Sequence, residues 1–268
     1  MLKDITLGQY FPGDTVVHRL DPRTKLILTV VYIAALFIAI NIAGYALVFA
    51  ALVIFAALGN IPARALLKGL KPLVFIIVFT AILNLFFTAG DDYLFRWRFI
   101  KITWTGLRNA VAMVVRVMLL VSGTFLLTYT TSPLAITDGL ESLLSPLKKI
   151  KIPVYELSLM MSIALRFIPT LIEETDRIMS AQKARGADLE TGSLVQRAKA
   201  LLPLLIPLFV SAFRRADELA TAMECRCYNG GEGRTRMKVL KMASRDAWAL
   251  LAGAALMAGV ILLRRVSL

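Results

Sequence analysis

The sequence predicts an all-α integral membrane protein: about five transmembrane helices, with a cytoplasmic region of long helices between the last two spans. Three observations lead there. Of 268 residues, 58% are hydrophobic and the mean hydropathy is +0.71, above the roughly 45–50% apolar content of ordinary globular domains. Leu26 to Leu58 runs 33 residues without a charge. Basic residues cluster between apolar runs, as they do in cytoplasmic loops.

The elements follow in chain order. As one helix, Leu26 to Leu58 would be about 50 Å long against a hydrocarbon core of about 30 Å. It therefore folds back on itself, with a turn expected near Asn41 to Gly44 and two short spans on either side. Pro72 to Ala89 reads as a third span, roughly Gly106 to Thr131 as a fourth, and Ala247 to Leu263 as the last. Arg19, Arg23 and Lys25 precede the first span, and Arg64, Lys68 and Lys71 separate the second from the third, while the first turn carries no charge. This places the N-terminus in the cytoplasm. Arg96, Arg98 and Lys101 in the expected outer loop, and Arg264 and Arg265 at the end, count against that orientation. The first apolar run begins only after a polar segment with Asp4, Asp14 and Asp21, which is not the form of a cleaved signal peptide.

Three regions result: 1–131 with four spans, 132–246, and 247–268 with the last span. The middle region carries 17 Lys and Arg and 13 Asp and Glu. Within it lie two apolar stretches, Val154 to Ile172 and Ala200 to Phe213. The first contains Glu156 and Arg166, each costing about 2.5–3.5 kcal/mol near the centre of an inserted helix. The second is short, about 21 Å as helix, and contains Pro203 and Pro207. Both are read as long helices lying against the membrane or under the spans, each continuing into a charged end.

Those ends are alike. One reads Ala181-Gln182-Lys183-Ala184-Arg185-Gly186-Ala187, the other Met223-Glu224-Cys225-Arg226-Cys227-Tyr228. Each sets an arginine between small residues where a helix stops, at Gly186 in the first and at Asn229-Gly230-Gly231 in the second. A single arginine at a helix C-terminus complements the dipole, worth about 0.3–1 kcal/mol. Two copies 41 residues apart point instead to a pair of forks that enter a partner's grooves and bond carboxylates or carbonyls.

Several stretches then resemble one family. Thr130-Thr131-Ser132-Pro133, Gly139-Leu140-Glu141, Ser145-Pro146-Leu147, Ser162 to Leu171 and Ala181 to Asp188 are similar to the central signature of the transmembrane T component of energy-coupling factor (ECF) transporters. Leu20-Asp21-Pro22-Arg23-Thr24-Lys25-Leu26 resembles that family's N-terminal motif, and Ile102 to Leu107 the start of its fourth span. The resemblance implies a non-catalytic coupling subunit in the cell membrane. It would join two ABC-type ATPases to a substrate-binding S component that takes up a vitamin or another micronutrient. It further implies that the long helices are coupling helices, with Ala184, Arg185, Gly186 and Cys225, Arg226, Cys227 as ATPase-docking motifs. The second motif departs from the usual Ala or Gly beside the arginine; Cys is still small.

Other chemistry is excluded on residue grounds. Cys225 and Cys227 lack companions at zinc-binding spacing and His18 is the one histidine, so no metal or cofactor is expected. Gly230-Gly231-Glu232-Gly233 lacks the Gly-Lys-Ser/Thr ending of a phosphate loop, so the chain is not its own ATPase. Asp91 and Asp92 have no second acidic cluster in a span and read as a solvated loop. Phe95, Trp97, Phe99 and Trp104 among arginines mark the membrane interface rather than a nucleic-acid surface. Arg116 is a charge inside a span, read as a structural anchor with transport as the lesser alternative. A seven-span secondary transporter or channel, in which both ambiguous stretches cross, is the competing reading, and an intramembrane enzyme ranks last.

Overall fold

The computed structural model describes residues 10–87, 93–97, 100–187, 193–230 and 239–266. Asp4, Asp91, Asp92, Arg98, Phe99, Asp188 and the stretch from Gly231 to Gly233, named above, lie outside those residues. Among the described residues the chain forms nine α-helices: α1 (Pro22–Ile38), α2 (Ile42–Leu58), α3 (Ala63–Leu70), α4 (Val74–Phe87), α5 (Trp104–Thr130), α6 (Pro133–Leu144), α7 (Val154–Ala184), α8 (Leu194–Glu224) and α9 (Ser244–Val266). One two-stranded antiparallel hairpin, β1 (Tyr93–Trp97) and β2 (Ile100–Thr103), sits between α4 and α5. The chain is an all-α membrane protein, and among the described residues that small hairpin is its one element of strand. By their contacts the described residues divide into two compact units, Gly8–Leu140 with Leu240–Leu268 and, separately, Glu141–Val239.

In the first unit, local chemistry sets where the helices begin, at Pro22 for α1 and Trp104 for α5, a few residues ahead of the apolar runs. Asp21 caps α1, its Oδ1 accepting the Arg23 N–H at 2.9 Å, and Pro22 occupies the first helical position, where no N–H is needed. The turn between α1 and α2 falls at Ala39 to Asn41, and the Asn41 amide donates to the Leu263 carbonyl at 3.1 Å. Thr103 caps α5 by accepting the Gly106 N–H. Where a charged, aromatic loop is expected before the fourth span, the chain instead pairs Phe95 with Ile102, Arg96 with Lys101 and Trp97 with Ile100. Alternating apolar and basic residues suit such a ribbon.

The core of this unit gathers Leu36, Val48, Leu52, Leu119, Tyr129 and Val260 from α1, α2, α5 and α9. Small residues let these helices approach closely, as membrane packing requires. A Cβ on Gly253 would collide with Leu28, and one on Gly123 with Tyr32. Elsewhere large apolar side chains face outward, among them Phe37, Phe49, Phe75 and Phe79. Such exposure is unremarkable when the surrounding solvent is hydrocarbon. A polar knot closes one end. Asp246, only 2% exposed, accepts the Asp21 N–H and the Ala243 N–H at 2.8 Å each, and Lys25 Nζ donates to the carbonyls of Thr130 (2.8 Å) and His18 (3.2 Å). Asp246 and Lys25 thereby find partners on other segments.

Among the described residues, four helical stretches are long and apolar enough to cross a membrane by length and composition: Ala63–Phe86, in which α3 continues into α4 through a short 3-10 turn, Trp104–Thr130, Val154–Ala184 and Ser244–Arg265. The 17-residue α2 is a shorter apolar helix. The third of these differs from the sequence expectation, which discounts the stretch for Glu156 and Arg166. Leu157, Met160, Met161, Ile163 and their neighbours offset those two charges over the apolar first part of the helix, before the charged residues that begin at Glu173.

Candidate docking site at two helix ends

The second unit consists largely of α7 and α8, each 31 residues and about 46 Å long. They pack on each other. Prolines at 169, 203 and 207 withhold a backbone donor, yet both helices run through them. Arg215 Nη2 on α8 donates to Glu174 Oε2 on α7 at 2.7 Å.

Both helices finish in one geometry. At the end of α7, Arg185 is the capping residue with φ −83° and ψ 5°, and Gly186 turns left-handed at φ +84°. The Gly186 N–H donates to the Lys183 carbonyl at 3.0 Å and the Ala187 N–H to the Gln182 carbonyl at 3.0 Å. These are the paired bonds of a Schellman end, which use carbonyls the helix leaves unpaired. At the end of α8 the Cys227 N–H donates to the Glu224 carbonyl at 2.8 Å and the Tyr228 N–H to the Met223 carbonyl at 3.0 Å. The residue in the left-handed position is Cys227, at φ +57°. Arg226 therefore occupies the position that Arg185 occupies in α7.

This corrects one sequence expectation. The second helix is stopped by Cys227, not by Asn229-Gly230-Gly231; Gly230 is also left-handed but follows the completed motif. Composition favours Gly or Asn at such a site, so Cys gives no local signal. Ala184, Arg185, Gly186, Cys225, Arg226 and Cys227 are all exposed, and among the described residues neither arginine side chain takes part in a hydrogen bond or ion pair. Both guanidiniums keep their donors available, flanked by small side chains.

The Glu174–Arg215 contact adds a relation that no motif reveals. Arg185 lies eleven residues beyond Glu174, and Arg226 eleven residues beyond Arg215. Each arginine thus stands about 16 Å along its helix from the contact joining the pair.

Arg116 serves a different purpose. From α5 its Nη2 donates to Tyr45 Oη at 2.6 Å and to the Ala39 carbonyl at 3.4 Å, and the guanidinium lies 5.9 Å from the Phe37 ring centroid and 5.7 Å from that of Tyr45. It holds the turn between α1 and α2, using a carbonyl that α1 leaves unpaired.

The profile of the CbiQ family, cobalt transport proteins, matches residues 13–237. The chain belongs to this family. Individual members are close over nearly their whole length. An energy-coupling factor transporter transmembrane protein EcfT from Clostridium kluyveri is 53% identical over 247 residues, 92% of each chain. One from Thermosediminibacter oceani is 51% identical over 263 residues, 98% of this chain and 99% of the relative. The Bacillus subtilis protein of the same name is 49% identical over 246 residues, 92% of this chain and 93% of the relative. Within the family, the two arginine ends fall inside the matched region.

Proposed function

We propose that this chain is the non-catalytic transmembrane coupling subunit of an ECF transporter. It links ATP hydrolysis by a pair of ABC-type ATPases to uptake of a vitamin or other micronutrient through an S component. The observation that carries the reading is the pair of matched helix ends, each presenting an exposed arginine, unpaired among the described residues, at the same distance along its helix from the Glu174–Arg215 contact. Two equivalent partners require two equivalent handles. Each guanidinium offers five donors in a planar fork, suited to carboxylates or carbonyls in a groove. Ala184, Gly186, Cys225 and Cys227 are small enough to let the groove close around it.

The mechanism is mechanical. With the N-terminus and region 132–246 in the cytoplasm, closure of the ATPases on ATP draws the two tips together, and α7 and α8 pass that displacement along their length. A swing of about 10° at a tip about 16 Å from the contact moves it about 3 Å. The S component would be met by the apolar face of α8, where Leu202, Ile206, Phe209 and Phe213 recur at helical spacing and are exposed. One observation favours the seven-span alternative: Val154–Ala184 satisfies the length and composition of a span.

Charge reversal at both tips tests the reading. The double substitution Arg185→Glu and Arg226→Glu is expected to abolish co-purification with the ATPase subunits while membrane insertion continues. A variant that retains its ATPases and transports substrate would sink the docking role.

A further inference from the structure

We propose that Cys225-Arg226-Cys227 is a covalent modification site, at which mixed-disulfide formation with a low-molecular-weight disulfide closes one of the two docks. This rests on the docking role proposed above for Arg226. The two ends share the same hydrogen bonds and the same left-handed turn, so they can be compared position by position. Where α7 has Ala184 and Gly186, α8 has Cys225 and Cys227. The α8 end is therefore the α7 end with a thiol on each side of the arginine. Both thiols are free and exposed, and they are the chain's only two cysteines.

The left-handed position sharpens the comparison. A Cβ there costs about 1–2 kcal/mol, which Gly186 avoids and Cys227 bears. Strain kept at an exposed, functional turn points to use of the side chain. The two thiols do not readily satisfy each other, because one intervening residue forces a strained ring. The acceptor sulfur comes from outside. A cysteine thiolate attacks one sulfur of a small disulfide such as oxidised glutathione. The protein–glutathione S–S bond forms, the original S–S bond breaks, and the leaving glutathione thiolate takes up the proton the cysteine lost. For the same ring strain, the neighbouring cysteine does not expel the adduct, which persists until an external thiol reduces it.

An adduct at either position puts a charged tripeptide where the groove accepts only small residues. With one of two docks closed, the avidity of paired binding is lost, which weakens capture of the ATPases by about 100-fold. Conversely, a docked tip covers its thiols, so assembly and modification exclude each other.

The full-length protein in nanodiscs is treated with oxidised glutathione, desalted, and then mixed with its ATPase subunits. Intact mass is expected to show one or two adducts, capture of the ATPases to fall about 100-fold, and dithiothreitol to restore both. Treatment after assembly is expected to add nothing. The substitutions Cys225→Ala and Cys227→Gly, which copy the α7 end, remove the response when each protein is compared with its own untreated sample. The proposal is overturned if no adduct forms, if modified protein binds as before, or if the cysteine-free protein responds equally. Failure of the docking reading is distinct: Arg226→Glu without oxidant would leave binding unchanged.

Discussion

Breaking the Glu174–Arg215 contact isolates the joint on which the proposed mechanism turns. Glu174 Oε2 and Arg215 Nη2 are 2.7 Å apart with 23% and 35% of their side chains exposed, so solvent screens the pair and its contribution is about 0.5–1 kcal/mol. Glu174→Gln keeps shape and removes the charge. A loss of that size multiplies the population in which α7 and α8 slip past each other by roughly two- to fivefold. Both tips sit eleven residues from the contact, so slippage there absorbs tip displacement before it is passed on. The assay is substrate taken up per ATP hydrolysed by the whole complex in liposomes. The expected result is a two- to fivefold fall in that ratio with ATPase binding unchanged, and recovery in the charge-exchanged pair Glu174→Arg with Arg215→Glu. An unchanged ratio in Glu174→Gln would refute the reasoning, and so would an exchanged pair no better than the single variant.

Other expectations concern the ends and the anchor. Cys227→Gly relieves the left-handed Cβ and is expected to steady the end of α8 by about 0.5–1 kcal/mol, seen as slower hydrogen exchange at Tyr228. Gly186→Ala is its mirror: a Cβ there meets nothing within 4 Å, so a loss of about 1 kcal/mol would be purely backbone strain. If both substitutions leave exchange unchanged, the left-handed caps do not govern these ends. Arg116→Met removes bonds to Tyr45 and Ala39 and is expected to lower thermal stability by about 1–3 kcal/mol while the folded protein still transports. Lost transport at unchanged stability would assign Arg116 to the transport path instead.

What the sequence makes legible is local. Asp21-Pro22 announces the start of α1, the uncharged run to Leu58 has to turn, and Gly186 announces the end of α7. What it hides is set by distant partners. Nothing near Arg116 names Tyr45 or the Ala39 carbonyl, 71 and 77 positions away. Nothing near Glu174 names Arg215, 41 positions on. The left-handed turn at Cys227 depends on backbone bonds that close whatever the side chain, and so the following glycines draw attention from it. The hairpin of β1 and β2 is masked by basic residues that read as a loop. Val154–Ala184 stands between these cases: Glu156 and Arg166 weigh against crossing, and the helix's length with the apolar content of its first part weighs for it.

That helix decides the central claim, because crossing would carry Arg185 to the far side of the membrane, out of reach of any cytoplasmic ATPase. A single cysteine at Ala184, in a protein carrying Cys225→Ala and Cys227→Gly and made without its ATPase subunits so that the tip stays uncovered, can be probed in intact cells with a membrane-impermeant thiol reagent. The account predicts no labelling until the membrane is permeabilised; ready labelling of intact cells would contradict it.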